Sequence, residues 1–334
     1  MTGKDRRERD RPTLAVVIPV YNEEEGVGPL ARRLTEVLDD LVDLQIVFVN
    51  DGSSDNTGDA LRLASEENSR VRYINLAKNC GHQTAMRAGI ENVTADCVIT
   101  MDGDFQHPPE FLPTMIDEWR RGADVVLTKR LGEERLGFLK RLTSALYYRL
   151  VNALSDTKIE EGAADFRLID RNVLKWLQKF EEHDIFYRGI IPLVASRTTT
   201  LNYELQDRKF GSSKYSLKKM LSLGIKGVLS SSVRPLRLAM AAAFIVFWFA
   251  ALYFIYVLIS YFFVGIPLSG WTSVILTQLI LGGGQLFVLG IIGEYVGQLL
   301  IEARRRPSYF IAESNLDIPE TSVSNAVGGD KNGA

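Results

Sequence analysis

The sequence is short of cysteine and has no excess of charge. Cys80 and Cys97 are the two cysteines in 334 residues. They have no metal-ligand spacing and make no disulfide framework, so packing is their expected role. Against 39 Lys and Arg stand 41 Asp and Glu, which removes any global electrostatic case for nucleic acid. No Gly-x-Gly-x-x-Gly follows the first apolar run and no Gly-Lys-Ser/Thr occurs, so neither the dinucleotide fingerprint nor the P-loop is available. Residues 1–12 are charged without an apolar stretch, which excludes a signal peptide and predicts a disordered arm. The tail, 302–334, is expected to be largely disordered, being polar with Gly, Asn and Ser from about Ala312 onward.

Charge is also nearly missing from two long stretches. Residues 236–264 contain one charged side chain, Arg237 near their start, and residues 272–301 contain one, Glu294. Each exceeds the about 20 residues that a helix needs to cross a hydrocarbon core of roughly 30 Å. The connection between them is short, so the pair reads as a transmembrane hairpin with both ends on one side. Lys218, Lys219, Lys226 and Arg234 precede the first stretch and Arg304, Arg305 and Arg306 follow the second, while the linking loop has neither Lys nor Arg. By the positive-inside rule the N-terminal domain and both termini are expected to be cytoplasmic. Residues 216–235, apolar with Lys218, Lys219 and Lys226, are expected to form an interfacial amphipathic helix on anionic headgroups. Gly282, Gly283, Gly284, Gly290, Gly293 and Gly297 give the second span a small-residue face suited to close helix packing, in the hairpin or in a homo-oligomer, dimer or tetramer.

What remains, 13–215, alternates strand and helix. Apolar runs at 14–20, 45–50, 71–75, 97–101 and 124–128 read as buried strands. Helical patterns occupy 27–41, the stretch ending at 67, 84–91 and 109–121, with Asn22 as the expected cap of the first. An edge strand is expected near 203–205. Such alternation predicts an α/β domain with a Rossmann-like, mostly parallel sheet, whose ligands bind beyond the carboxyl ends of the strands. The polar clusters stand there: Tyr21-Asn22-Glu23, Asn50-Asp51-Gly52, Asn79 to Gln83, and Asp102-Gly103-Asp104-Phe105-Gln106.

The last of these stands out. Asp102 and Asp104 leave a strand end one residue apart, and Pro108 and Pro109 keep the following chain irregular. Oxygen ligands so close together suit a hard divalent cation that also takes substrate phosphates. A plain turn built from Asp and Gly is the alternative reading. The stretch Gly162-Ala163-Ala164-Asp165-Phe166-Arg167-Leu168-Ile169-Asp170 reads equally as carrying a functional acid at Asp165 or a helix cap at Asp165 or Asp170, and Arg167 reads as a partner for an acid. The loop Asp207 to Tyr215 is basic and rich in Gly and Ser, which suits phosphate. His107 has no role that the sequence assigns.

These motifs, in this order, resemble the family 2 glycosyltransferases of GT-A fold. The resemblance covers about 14–301 and is to the polyprenyl-phosphate branch, that of dolichol-phosphate mannose synthase and, with two C-terminal spans, the bacterial bactoprenol glucosyltransferases. It implies that Pro19, Tyr21, Glu23, Asp51 and Asp102 hold a donor nucleotide. It implies Mg²⁺ or Mn²⁺ among Asp102, Asp104 and Gln106, and Asp165 at the position of the catalytic acid. It implies Arg130, Arg141, Ser144, Arg208 and Lys214 as phosphate ligands, chiefly for the lipid acceptor. Gly103 and Phe105 replace the family's commoner Ala and Leu, a change expected to affect packing only. Thr128-Lys129 stand where Gly-Ser is usual before the arginine. The implied reaction is inverting transfer of a sugar from a nucleotide diphosphate sugar to polyprenyl (undecaprenyl) phosphate at the inner membrane. UDP-glucose is the first choice of donor, with GlcNAc, mannose or a modified sugar open. A processive polysaccharide synthase would need more spans and a Gln-x-x-Arg-Trp motif that this chain lacks. A non-catalytic membrane scaffold is the remaining alternative.

Overall fold

The computed structural model describes residues 7, 9–131, 163–180, 182, 185, 187–204, 232–264 and 270–317. Arg141, Ser144, Arg208, Lys214 and most of the expected interfacial helix lie outside the described residues. The chain forms two compact units. The first contains the described residues up to Glu204 and again from Arg306; the second contains Ser232 to Arg305.

The first unit is built on one sheet. Its elements are β1 (Thr13–Val20), α1 (Glu24–Leu38), β2 (Asp43–Asn50), α2 (Thr57–Glu67), β3 (Val71–Leu76), α3 (His82–Glu91) and β4 (Cys97–Thr100). A short 3₁₀ turn (Pro109–Phe111), α4 (Leu112–Arg120), β5 (Val125–Leu131), β6 (Ala163–Asp170), α5 (Arg171–Leu177), α6 (Tyr187–Val194) and β7 (Thr198–Glu204) follow. The strand order is β7-β5-β6-β4-β1-β2-β3-β8, where β8 (Ile311–Ser314) comes from the tail. Strands β1 to β5 and β7 run one way, and β6 and β8 run against them. The mostly parallel sheet expected from the sequence is therefore present, with β6 as an antiparallel insertion.

The pleat explains why β1 reads as continuous apolar sequence. Leu14, Val16, Ile18 and Val20 join one buried layer with Leu30 and Leu34 of α1 and Trp119 of α4. Ala15 and Val17 join the opposite layer with Ala85 and Met86 of α3 and Leu174 of α5. A strand covered by helices on both faces has no polar side to show. Pro19 sits in this central strand without breaking it. Val17 accepts the amide of Met101 from the β4 side. Alternation turns the position of Pro19 to that same side, where β4 has already ended at Thr100, so the missing N–H costs no ladder bond.

Three expectations are corrected. Asn22 does not cap α1. The helix starts after Glu23 with no side-chain cap, and Asn22 takes a positive φ of 56° in a turn. Its Oδ1 accepts the amide of Ser54 at 2.9 Å. The arm expected to be disordered to residue 12 is pinned at Arg7, which donates to Asp124 at 2.8 Å, and at Arg9, which donates to Asp96 at 2.9 Å. The tail expected to be largely disordered supplies β8, which pairs antiparallel with the edge strand β3 and buries Ile311 in the core.

The second unit contains α7 (Arg234–Ile259), a π-helical turn (Ser260–Val264) and α8 (Trp271–Ala303). Leu236–Tyr256 and Ile280–Ala303 are long and apolar enough to cross a membrane. A core helix of a soluble protein would bury such residues, but Phe244, Phe247, Leu286 and Phe287 are each more than 60% exposed. An apolar surface of this kind suits lipid better than water. The Tyr295 hydroxyl donates to the Ser232 carbonyl at 2.7 Å, tying α8 to the residues just before α7.

Candidate active site

The strand ends assemble the site. In the β4–β6 register, Thr100 lies opposite Arg167 and Ile99 opposite Leu168. Carried two residues further, the register sets Asp165 against Asp102. The reversed direction of β6 thus delivers its N-terminal acid to the edge where β1, β2 and β4 end. Buried hydroxyls fix β6 from both neighbours. Thr100 Oγ1 donates to the Asp165 carbonyl at 2.7 Å and Thr128 Oγ1 to the Phe166 carbonyl at 2.6 Å.

Asp102 to Gln106 form a tight turn. Asp104 Oδ1 accepts the Gln106 amide at 3.1 Å, the local bond that favours Asp in turns. Phe105 holds a positive φ of 62°, uncommon for a bulky residue, and is buried. Gly103 is demanded by contact: a Cβ there would lie 2.6 Å from Glu23 Oε2 and 2.9 Å from Val20 Cγ1. Gly103 lets the Glu23 carboxylate lie against the acidic turn.

His107, unassigned by the sequence, organises this turn. Its ring is fully buried, stacked on Phe166 at 4.7 Å and edge-on to Tyr203 at 5.8 Å. Its Nδ1 accepts the Asp102 amide at 2.9 Å. The ring proton of the neutral form must then sit on Nε2, which lies 3.7 Å from Asp102 Oδ2. Burial pushes the imidazole pKa down, more than Asp102 pulls it up. On the other side, His82 Nε2, from the first turn of α3, lies 3.3 Å from Asp102 Oδ1.

Asp165 is almost buried and already engaged. Its Oδ2 accepts from Gln83 Nε2 at 2.8 Å and its Oδ1 pairs with the buried Arg167. The ion pair that the sequence offered as one reading of Arg167 is present. Asp170, the alternative cap, does cap α5, its Oδ1 accepting the Asn172 amide at 2.8 Å. Gln83 stood within a cluster noticed in the sequence, but its link to Asp165 depends on pairing 82 residues apart.

Asp51, expected at the nucleotide, directs its carboxylate at backbone. Oδ1 accepts the Cys80 amide at 2.7 Å and Oδ2 the Gly81 amide at 3.0 Å. Burial raises its pKa, and the two amides oppose that rise. Next to it Gly52 has a φ of 62°, and a Cβ would come within 2.5 Å of the Lys78 and Asn79 backbone. Asp51 and Gly52 together pack the β2 end against the loop that leads to His82 and Gln83. Tyr21 is exposed at the end of β1, and the Glu23 amide donates to Thr57 Oγ1 at 3.0 Å. Arg130, on β5, donates from Nε to the Tyr203 hydroxyl at 3.3 Å.

The donor set fits a divalent cation held partly by substrate. Asp102 Oδ1 is buried and makes no well-aligned hydrogen bond, although His82 Nε2 lies 3.3 Å from it, and Asp104, two residues on, is buried too. No cluster of three or more His, Cys, Asp and Glu is placed as a complete metal cage among the described residues. Mg²⁺-type sites commonly use one or two carboxylates and complete the shell with water and phosphate.

Comparison with known proteins gives this arrangement a family. The profile of Glycosyl transferase family 2 matches residues 15–177. An uncharacterized glycosyltransferase of Bacillus subtilis (strain 168), YkcC, is 38% identical over 90% of this chain and 93% of its own. The SfII prophage-derived bactoprenol glucosyl transferase of Shigella flexneri is 35% identical over 92% of this chain and 99% of its own. Among solved structures, the Mycobacterium tuberculosis glucosyl-3-phosphoglycerate synthase with Mn²⁺ and UDP aligns with 65% of this chain and 78% of that one. It does so at 17% identity and a TM-score of 0.42. The likenesses to the two bacterial relatives run nearly end to end in both chains, through the Asp102 turn, the Asp165 strand and both apolar helices, and with the profile match they show that the chain belongs to glycosyl transferase family 2.

Proposed function

We propose that the protein transfers a sugar from a nucleotide diphosphate sugar to a polyprenyl phosphate, undecaprenyl phosphate first, at the cytoplasmic face of the plasma membrane. The proposed donor is UDP-glucose, and the proposed assembly is a homo-oligomer packed through the α8 glycines. The observation that carries the reading is the meeting of Asp102, Asp104 and Asp165 at one sheet edge, in a chain with two candidate membrane spans. The bactoprenol named for the Shigella relative supports the lipid class.

Chemistry at this edge asks for little acid–base work. The nucleophile is a phosphate oxygen, and a phosphate monoester with a second pKa of about 6 is largely ionised at pH 7. Asp165, occupied by Arg167 and Gln83, is suited to orient sugar or acceptor; it has no proton to remove. Asp102, Asp104 and Gln106 would hold Mg²⁺ or Mn²⁺, which supplies Lewis-acid stabilisation of the departing diphosphate. Pro19, Tyr21, Glu23 and Asp51 frame the nucleotide. Arg130, with Arg141, Ser144, Arg208 and Lys214, offsets the repulsion between an anionic donor and an anionic acceptor.

Membranes carrying the protein, incubated with undecaprenyl phosphate and radiolabelled UDP-glucose, UDP-GlcNAc or GDP-mannose, test this. A chloroform-soluble labelled product that EDTA abolishes is expected. Absence of product with every donor would sink the reading.

A further inference from the structure

The tail reaches the proposed donor site through an unbroken line of hydrogen bonds. Glu313, on β8, sits beside β3 and accepts four of them. Arg62 donates from Nε at 3.0 Å and from its terminal nitrogen at 2.7 Å, the Tyr73 hydroxyl at 2.9 Å, and Asn75 Nδ2 at 3.0 Å. Asn75 Oδ1 in turn accepts Asn50 Nδ2 at 3.0 Å, and both amides are buried. Asn50 Oδ1 accepts the Ser53 hydroxyl at 2.6 Å and the Ser53 amide at 3.0 Å. Ser53 Oγ accepts the Asn22 amide at 2.9 Å. The line therefore runs from the tail to the loops that end β2 and β1, on either side of Asp51.

Its polarity follows from one group. A carboxylate only accepts, so Asn75 must turn its NH₂ to Glu313 and its oxygen to Asn50. Asn50 must then give its NH₂ to Asn75, which leaves its oxygen to hold Ser53. Each amide could otherwise be flipped, since an Asn side chain is nearly symmetric in shape. Glu313 removes that freedom. In a buried network, a flipped member leaves two acceptors or two donors facing each other, which is costly.

We propose that Glu313 is a positioning residue of the donor site, acting through Asn75 and Asn50 to hold the 50–53 loop in its nucleotide-binding shape. The tail strand, which follows α8 after residues 304–310, is thus a working part of the site and not merely an edge cover. The inference rests on the reading of Tyr21, Glu23 and Asp51 as the donor-binding residues.

The test uses the full-length protein in nanodiscs. Glu313→Ala should raise the KM for the nucleotide sugar about tenfold, the scale of one lost charge-assisted hydrogen bond, and leave kcat and the lipid KM within about twofold. Glu313→Gln, able to present either end of its amide, should fall between Ala and wild type. The Asn75→Ala and Glu313→Ala effects should not add, because both cut one line. Amide exchange of Ser53 and Asn22 should speed up in Glu313→Ala. As a control for simple loosening of the tail, Tyr309→Phe removes the bonds to Glu91 and Asn92 and should leave the donor KM unchanged. An unchanged donor KM in Glu313→Ala, or kcat and both KM values shifting together in that variant, would overturn the proposal. A wild type that turns over no nucleotide sugar overturns the donor reading beneath it. Unchanged exchange at Ser53 in Glu313→Ala overturns the relay whether or not that reading stands.

Discussion

The Glu23 carboxylate lies where a side chain on Gly103 would be: a Cβ at Gly103 would come within 2.6 Å of Glu23 Oε2. Two strand ends, β1 and β4, thereby touch through the absence of a methyl group. Gly103→Ala must displace either the end of Glu23, which is flexible, or Val20, whose Cγ1 lies 2.9 Å from the same point and is packed in the core. The cheaper movement is that of Glu23. The variant should fold with a stability loss of about 1 kcal/mol or less, yet raise the donor KM several-fold. Thermal unfolding alongside donor titration would check this. A variant with wild-type donor KM would show that the position of Glu23 is of no consequence to binding.

His107 makes a second separable prediction. Its ring packs between Phe166 and Tyr203, while its Nδ1 serves the Asp102 amide. His107→Phe keeps the aromatic packing and leaves that amide without its acceptor. Leaving a partly buried donor unpaired costs about 1–3 kcal/mol, and here the cost falls on the turn that carries Asp102 and Asp104. Turnover should fall about tenfold or more, and more Mn²⁺ should be needed for half-maximal rate. Rate measured against Mn²⁺ concentration distinguishes this from unfolding, which would lower the rate at every concentration alike.

Asp165 and Arg167 should separate stability from chemistry. Arg167 is 1% exposed and pairs with a carboxylate that is itself 8% exposed. Arg167→Met takes the cationic partner from that carboxylate, and breaking a buried pair on one side costs about 3–5 kcal/mol. A lower yield of folded protein and a much lower Tm are expected. Gln83→Leu removes only a neutral donor from the same carboxylate. It should leave Tm within a few degrees and reduce kcat, because Asp165 would lose part of what aims it. A large Tm loss in Gln83→Leu would assign Gln83 to folding instead.

The sequence revealed the parts of this site that are local, and missed those that depend on strand order. Continuous apolar runs and helical spacing placed β1 to β5, because a doubly covered strand and an amphipathic helix leave their period in the chain. Asp102 and Asp51 were visible for the same reason, each following an apolar run directly, and Asp104 comes two residues after Asp102. Nothing local says that Asp165 lies on a reversed strand, since Ala163-Ala164-Asp165 has no period to read. The service of His107 to the Asp102 amide and of Asp51 to the loop at 80 and 81 arises from backbone geometry. Polar composition near 312 suggested disorder, but strand pairing needs backbone groups and one apolar anchor, and Ile311 supplies that anchor.

Glu313 should also leave a signature in acid. Arg62 holds its carboxyl pKa down to about 2, against partial burial, with Tyr73 and Asn75 adding to the effect. A carboxyl whose pKa is lower in the folded state stabilises that state above its unfolded pKa, and the contribution is lost as pH falls toward the folded value. The Tm difference between wild type and Glu313→Gln should therefore be constant from pH 8 to about 5. It should shrink below the ordinary glutamate pKa of about 4.3 and close as pH approaches 2. Because the Arg62 and Glu313 side chains are 46% and 39% exposed, the difference should also narrow in high salt, where exposed ion pairs are screened. A difference that grew as the pH was lowered would mean that the carboxylate strains the tail strand it is placed to hold.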